Sequence, residues 1–243
     1  MRTWVTVLGV SIFVLALSNS GLSITMTSVD GNWLNVVGDP TPVMQSVSVG
    51  YGNGTEDQVR WGDPAGWFSC DRSGLGFTGA GTPQTFAAEQ AFEIGQLRHF
   101  NYPVYDAASA ADLQLNMTFS DPAGLSGMFQ FTFAVNETEN NYWPDGNPLN
   151  DDFISFPSSF SSETITIGGT TYTLRLLGFG SNPGNLVSQF RSSEGDVNST
   201  LLWGRITTET PVGVPDGGTT LLLLGVALTA MFVLSKQTGE ARG

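Results

Sequence analysis

The segment from Asn136 to Asp152 holds the densest group of oxygen-bearing side chains in the sequence. Calcium takes six to eight oxygen ligands, and a loop between two strands can wrap around it. The segment therefore predicts a structural calcium ion, the one candidate cofactor, although its spacing is not that of an EF-hand loop. The alternative is a solvated loop with Asx turns. The candidate metal ligands are Glu137, Asn140, Asp145, Asn147, Asp151 and Asp152.

The same segment contains two adjacent aromatic residues, Tyr142 and Trp143. Exposed aromatic rings with a polar edge can bind the faces of sugars, so this pair is a candidate ligand-binding surface. Two of the nearby carboxylates could in principle hydrolyse a glycosidic bond. Extracellular β-sandwiches commonly carry such pairs in their loops, so no catalytic residue is assigned.

His99 is the only histidine and Cys70 the only cysteine. A catalytic base needs a nucleophile and an orienting acid, and the sequence contains no G-x-S-x-G elbow. One histidine and one cysteine scarcely supply a histidine-based zinc site. We therefore expect His99 to be a hydrogen-bonded structural residue at a strand end. An intramolecular disulfide is excluded, and the protein is predicted not to be an enzyme.

Charge narrows the choice of partners. Between residues 24 and 210, 20 Asp and Glu stand against six Arg and no Lys. Binding to polyphosphate requires clustered cations, so nucleic acid is not an expected partner. An acidic surface is compatible with an extracellular location and with divalent cations.

The elements that position these residues are predicted to be strands. Apolar and polar residues alternate in two segments, 112–119 and 129–135, which are separated by the turn Asp121-Pro122-Ala123-Gly124. This pattern predicts an antiparallel hairpin with one buried face. Gly168-Gly169 predicts a second tight hairpin. Further strands fit Ser23–Val29 and Trp33–Val37, and about ten short strands in all favour an all-β, antiparallel β-sandwich over residues 21–210.

Both ends of the sequence are apolar. Residues 1–20 predict a signal peptide, because Arg2 precedes an apolar stretch that ends in small residues. Residues 219–235 predict one transmembrane helix. The tail, residues 236–243, is expected in the cytoplasm because it carries Lys236 and Arg242.

Residues 211–218 form a linker that contains a candidate sorting motif. The motif comprises Val214, Pro215, Asp216, Gly217 and Gly218. With the apolar segment and basic tail that follow, it resembles the VPDSG/PEP-CTERM class of bacterial sorting signals, with Gly217 where serine is usual. The resemblance implies an exosortase as partner, transient anchoring in the inner membrane, and delivery to the cell surface or extracellular matrix. A plain single-span membrane protein is the main alternative.

The predicted domain resembles the choice-of-anchor K family, which implies a secreted β domain without an assigned chemistry. The residues that carry this resemblance are Arg60-Trp61-Gly62, Ser73, Leu75, Phe77, Phe92, Ile94, Gly95, Leu97, His99, Asn101, Pro103, Glu137, Thr138, Asn140, Asp152, Tyr172, Leu174, Leu176, Gly178 and Phe179.

We therefore expect a non-enzymatic surface or matrix protein that an exosortase sorts, with an exopolysaccharide or surface glycan as a candidate partner. The alternative is a secreted glycan-binding or glycan-active domain with a plain membrane anchor.

Overall fold

A computed structural model describes residues 22–38, 41–65, 71–138, 147–156 and 164–209. The predicted signal peptide, the linker with its sorting motif, the transmembrane helix at 219–235 and the tail lie outside the described residues. Within the described ranges, no helix is long and apolar enough to cross a membrane.

The described residues form strands joined by turns, with a single 3-10 turn at Pro148–Asn150 and no α-helix. In chain order the strands are β1 (Ser23–Val37), β2 (Val43–Ser48), β3 (Thr55–Trp61), β4 (Asp63–Pro64), β5 (Ser73–Gly79), β6 (Gln84–Ala87), β7 (Ala91–Asn101), β8 (Val104–Tyr105), β9 (Ala110–Asp121), β10 (Ser126–Asn136), β11 (Asp152–Ser155), β12 (Thr164–Ile167), β13 (Thr170–Phe179), β14 (Gln189–Ser192) and β15 (Asp196–Glu209).

Two antiparallel sheets enclose the core, which confirms the predicted all-β sandwich. One sheet has six strands in the order β14-β11-β10-β9-β1-β6, and the other has seven in the order β12-β13-β15-β7-β5-β3-β2. The short strands β4 and β8 pair separately. The inward-facing apolar side chains of both sheets make one continuous core.

The hairpin of β9 and β10 has the predicted register. Phe129 lies opposite Leu115, and Phe131 lies opposite Leu113. All four side chains are buried, as are the neighbouring Met117 and Phe133. The Gly168-Gly169 turn between β12 and β13 has positive φ at both glycines, as predicted for this tight connection.

The prediction of two strands at Ser23–Val29 and Trp33–Val37 is wrong, because β1 runs through both without a break. Bulges along β1 adjust its register against β9. Gly31 lies where the chain continues, and a Cβ on it would meet Phe77 Cδ1 at 2.4 Å. The glycine therefore makes room for a core aromatic ring rather than ending the strand.

Strand β5 carries glycine on the face opposite Leu75 and Phe77. A Cβ on Gly76 would lie 2.7 Å from Glu56 Cδ. The Glu56 side chain, fully buried, extends from β3 across β5 and meets Arg98 Nη1 of β7 at 3.2 Å. The missing side chain on Gly76 thus lets an ion pair connect two strands that are not neighbours in the sheet.

Replacing Phe133 by Ala should lower the free energy of unfolding by about 3–5 kcal/mol, because the ring is fully buried and the change leaves a cavity. Equilibrium urea unfolding followed by tryptophan fluorescence measures this. Met128→Ala, at a side chain that is 58% exposed, should change stability by less than about 0.5 kcal/mol. Equal effects of the two changes would contradict the register of β10.

Gly76→Ala should destabilise the protein by about 1–3 kcal/mol, because the added methyl group displaces the Glu56 carboxylate from Arg98. The matched control is Gly81→Ala, where an added Cβ meets no atom within 4 Å. Thermal unfolding of the two variants should separate clearly. An unchanged melting temperature for Gly76→Ala would show that the ion pair does not occupy this space.

Candidate functional site

Three ionisable side chains meet between the two sheets at one end of the sandwich. His99 belongs to β7 of the seven-stranded sheet, whereas Glu137 follows the last residue of β10 and Asp152 opens β11 in the six-stranded sheet. One potential ligand atom from each lies within 4.8 Å of the other two. We call these three residues the interior triad.

The period-two pattern of each strand explains why these polar groups face inward. On β7, Leu97, His99 and Asn101 share the buried face, and on β11 Asp152 and Ile154 do the same. β7 ends and β11 begins at this end of the sandwich, so polar residues occupy the outermost inward-facing positions and close the core.

The Glu137 carboxylate is held by donors from the opposite sheet. Trp61 Nε1, at the end of β3, donates to Oε1 at 2.7 Å. Ser73 Oγ, at the start of β5, lies 2.7 Å from the same oxygen and 2.9 Å from the Phe100 carbonyl oxygen, between which it shares its single proton. Only 9% of the Glu137 side chain is exposed, so these donors replace water around it.

Asp152 is fully buried, and only one of its carboxylate oxygens is satisfied by protein donors. Thr138 donates to Oδ1 through its backbone N at 2.7 Å and its hydroxyl at 3.2 Å. Oδ2 has no hydrogen-bond partner among the described residues. The carboxylate is therefore oriented by one oxygen while the other remains available.

His99 is also fully buried, and neither ring nitrogen has a hydrogen-bond partner in the described part of the chain. Nε2 lies 3.9 Å from Glu137 Oε1, beyond hydrogen-bond distance. The imidazole lies beside the Trp61 indole, with ring centroids 6.3 Å apart. The hydrogen bonds expected for a structural histidine are thus not seen.

The two carboxyl groups differ in acidity. Burial and the charge of the neighbouring Glu137 raise the pKa of Asp152 to about 9. Burial also acts to raise the pKa of Glu137, but the adjacent His99 and Asp152 and the hydrogen bond from Ser73 outweigh it and lower that pKa below its usual range. As pH falls, Asp152 is therefore the first of the two groups to bind a proton.

The structure places the predicted calcium ligands in different environments. Glu137 and Asp152 enter the interior triad, whereas Asp151 forms an ion pair with Arg191 at 2.6 Å. Asn147 caps the 3-10 turn by accepting from Leu149 N at 3.0 Å. Asn140 and Asp145, like the candidate glycan-binding residues Tyr142 and Trp143, lie outside the described residues. The calcium hypothesis stays a prediction.

Sequence reasoning did not connect His99 with Glu137 and Asp152, nor did it identify Trp61 and Ser73 as the donors to Glu137. The two-residue alternation of β7 could have placed His99 in the interior, because a histidine two residues after a buried Leu97 points toward the core. No spacing rule joins His99 to Glu137, since the contact crosses from one sheet to the other.

Burial, rather than spacing, makes the site a poor fit to sugar hydrolysis. The spacing of its carboxyl groups is only slightly smaller than the about 5–5.5 Å found in retaining glycosidases. Both groups must also reach the sugar, and Asp152 has no exposed surface. A set of two carboxylates and one imidazole is, in contrast, a familiar set of metal ligands.

A separate groove of about 330 Å³ lies among β1, β2 and β3. Its lining includes Trp33, but that ring is only 5% exposed and its Nε1 donates to the Asp57 carbonyl oxygen. The groove therefore offers no exposed aromatic face for stacking on a sugar.

At a pH between 3.8, the ordinary pKa of an aspartate, and about 9, the raised pKa in the folded protein, Asp152 keeps a proton in the folded state that it loses on unfolding. Its raised pKa thus makes the free energy of unfolding fall as pH rises through this window. Asp152→Asn removes the ionisation, so the variant should gain stability relative to the wild type from pH 5 to pH 8. Urea unfolding in EDTA measures this.

The control for that experiment is Asp196→Asn, a change at an exposed side chain. It should leave the pH dependence of the wild type unaltered. If Asp152→Asn follows the same pH dependence as the wild type, Asp152 does not hold a proton in the folded protein.

Comparison with known families identifies the C-terminal segment. Residues 213–237 match the VPDSG-CTERM motif, a span that contains the candidate motif Val214–Gly218 and the apolar segment after it. No curated protein matches the chain. The protein therefore carries a VPDSG-CTERM sorting signal, which implies export through the membrane to the cell surface and processing by an exosortase.

Proposed function

We propose that the protein is a non-enzymatic component of the bacterial cell surface or extracellular matrix. In this proposal, residues 1–20 direct export and are removed, and residues 219–235 hold the chain in the inner membrane for a limited time. An exosortase then cleaves near Val214–Gly218 and releases the β-sandwich for surface display. The match of residues 213–237 to VPDSG-CTERM is the observation that carries the proposal.

The tail itself supports temporary anchoring. An uncharged run of about 16 residues rises about 24 Å as a helix, less than the roughly 30 Å hydrocarbon core of a bilayer. Lys236 and Arg242 favour a cytoplasmic end, which places the sandwich outside. Pro215 and the two glycines after Asp216 disfavour helix, which leaves an extended backbone for a protease.

The role of the domain is proposed from its interior. Its core is filled by apolar side chains, and the Glu137 and Asp152 carboxylates are buried rather than placed in an open cleft. Both features suit a stable surface module better than a glycan-active enzyme. We further propose that the domain belongs to the choice-of-anchor K family and that a surface glycan is its partner.

Pro215→Ala should let the membrane helix extend outward into the motif and so hide the cleavage site. Uncleaved protein should then accumulate in the membrane fraction of cells that express the cognate exosortase. Mass spectrometry of the C-terminus identifies the form present. The matched control is Pro211→Ala, which removes a proline upstream of the motif and should be processed normally.

Wild-type protein recovered from such cells with Arg242 still attached would show that the tail is a simple membrane anchor. The alternative, a membrane-anchored glycan-binding domain, would then describe the protein better.

A further inference from the structure

The interior triad contains a concentration of polar atoms that the protein itself does not satisfy. Both ring nitrogens of His99 and Oδ2 of Asp152 are buried without a hydrogen-bond partner among the described residues. More than about nine in ten buried polar groups in proteins have a partner, because a buried group without one loses the hydrogen bonds that water would supply. Three such atoms beside the Glu137 carboxylate indicate that a further species completes the site.

The satisfied atoms of the triad are those that orient it. Trp61 and Ser73 hold Glu137 Oε1, and Thr138 holds Asp152 Oδ1. Metal-binding carboxylates are commonly fixed in this way by donors that do not touch the ion. The arrangement therefore has both the ligands of a metal site and the supporting hydrogen bonds around them.

We propose that His99, Glu137 and Asp152 bind a divalent transition-metal ion, with Zn²⁺ as the first candidate. Two carboxylates balance the charge of such an ion, and an imidazole nitrogen suits zinc or manganese. Calcium and magnesium prefer ligand sets made of oxygen alone, so the fully buried imidazole argues against them. Among the common divalent ions, a given nitrogen and oxygen site binds zinc more tightly than manganese.

Binding requires the ligand atoms to move closer together. Ligands at the usual zinc distances of about 2.0–2.1 Å lie roughly 3.3 Å apart in a tetrahedron. His99 Nε2 and Glu137 Oε1 are 3.9 Å apart, and the three potential ligand atoms lie within 4.8 Å of one another. Glu137 lies just beyond β10 and Asp152 is the first residue of β11, so both can move without breaking a ladder in its middle.

The proposed ion would join the two sheets. His99 comes from the seven-stranded sheet and the two carboxylates from the six-stranded sheet, so the ion closes the end of the sandwich. The chain has one cysteine and hence no intramolecular disulfide for this purpose. A ligand that binds only the folded state stabilises it by mass action. This inference does not depend on the fate of the C-terminal tail.

The single histidine makes a direct test available. The tag-free full chain, purified in detergent and stripped with EDTA, is titrated with Zn²⁺ while the imidazole signals are followed by NMR. We expect these signals to shift and to saturate at one equivalent. The melting temperature should rise over the same range, and metal analysis after dialysis should find one zinc per chain.

Two conservative variants locate the site. Asp152→Asn and His99→Gln keep the size of each side chain approximately and remove a ligand, so both should lose the stoichiometric zinc and the rise in melting temperature. Cys70→Ser and Asp196→Asn are the controls, and both should bind zinc like the wild type.

Several results would overturn the proposal. One is an imidazole spectrum of the folded wild type that Zn²⁺ and Mn²⁺ leave unchanged, a measurement that needs no variant to fold. Another is equal zinc binding by the wild type and Asp152→Asn. A third is stabilisation by millimolar Ca²⁺ with no effect of Zn²⁺, which would favour an oxygen-only calcium site elsewhere in the segment.

Discussion

The Glu137 carboxylate links the two sheets at the end where β3, β7 and β10 finish. It follows a strand of the six-stranded sheet, yet its Oε1 receives hydrogen bonds from Trp61 and Ser73 of the seven-stranded sheet. A buried carboxylate without such donors would carry a large desolvation cost. The positions of the indole, the hydroxyl and the neighbouring His99 and Asp152 therefore all depend on where this group is held.

The seven-stranded sheet also carries charged side chains on the face opposite the core. The Glu56 and Arg98 side chains pair across β5, and the Arg60 guanidinium lies 3.4 Å from the centroid of the Phe100 ring. These long side chains lie over a strand whose glycines leave space for them. Charged groups thus satisfy one another in the sheet while the apolar residues of the same strands fill the core.

Much of the fold could be predicted because burial follows a two-residue period. The alternation of Phe129, Phe131 and Phe133 predicted their register, and Gly168-Gly169 predicted a turn. The break predicted between Val29 and Trp33 is absent, because β1 continues through Gly31, whose small size accommodates Phe77. The triad could be predicted only in part: acidic residues identified Glu137 and Asp152, but their approach to His99 depends on how two sheets stack, which no local pattern encodes.

Strand β15 is the last strand of the described domain and lies inside its sheet, paired with β7 on one side and β13 on the other. A molecule attached to a surface through its C-terminal end would transmit any pull along the axis of this strand. Inter-strand hydrogen bonds run perpendicular to the strands, so both ladders would be loaded in shear and would have to yield together. Under the proposed attachment, a pull would therefore enter the domain at a strand that is paired on both sides, rather than at an edge strand that could be peeled away bond by bond.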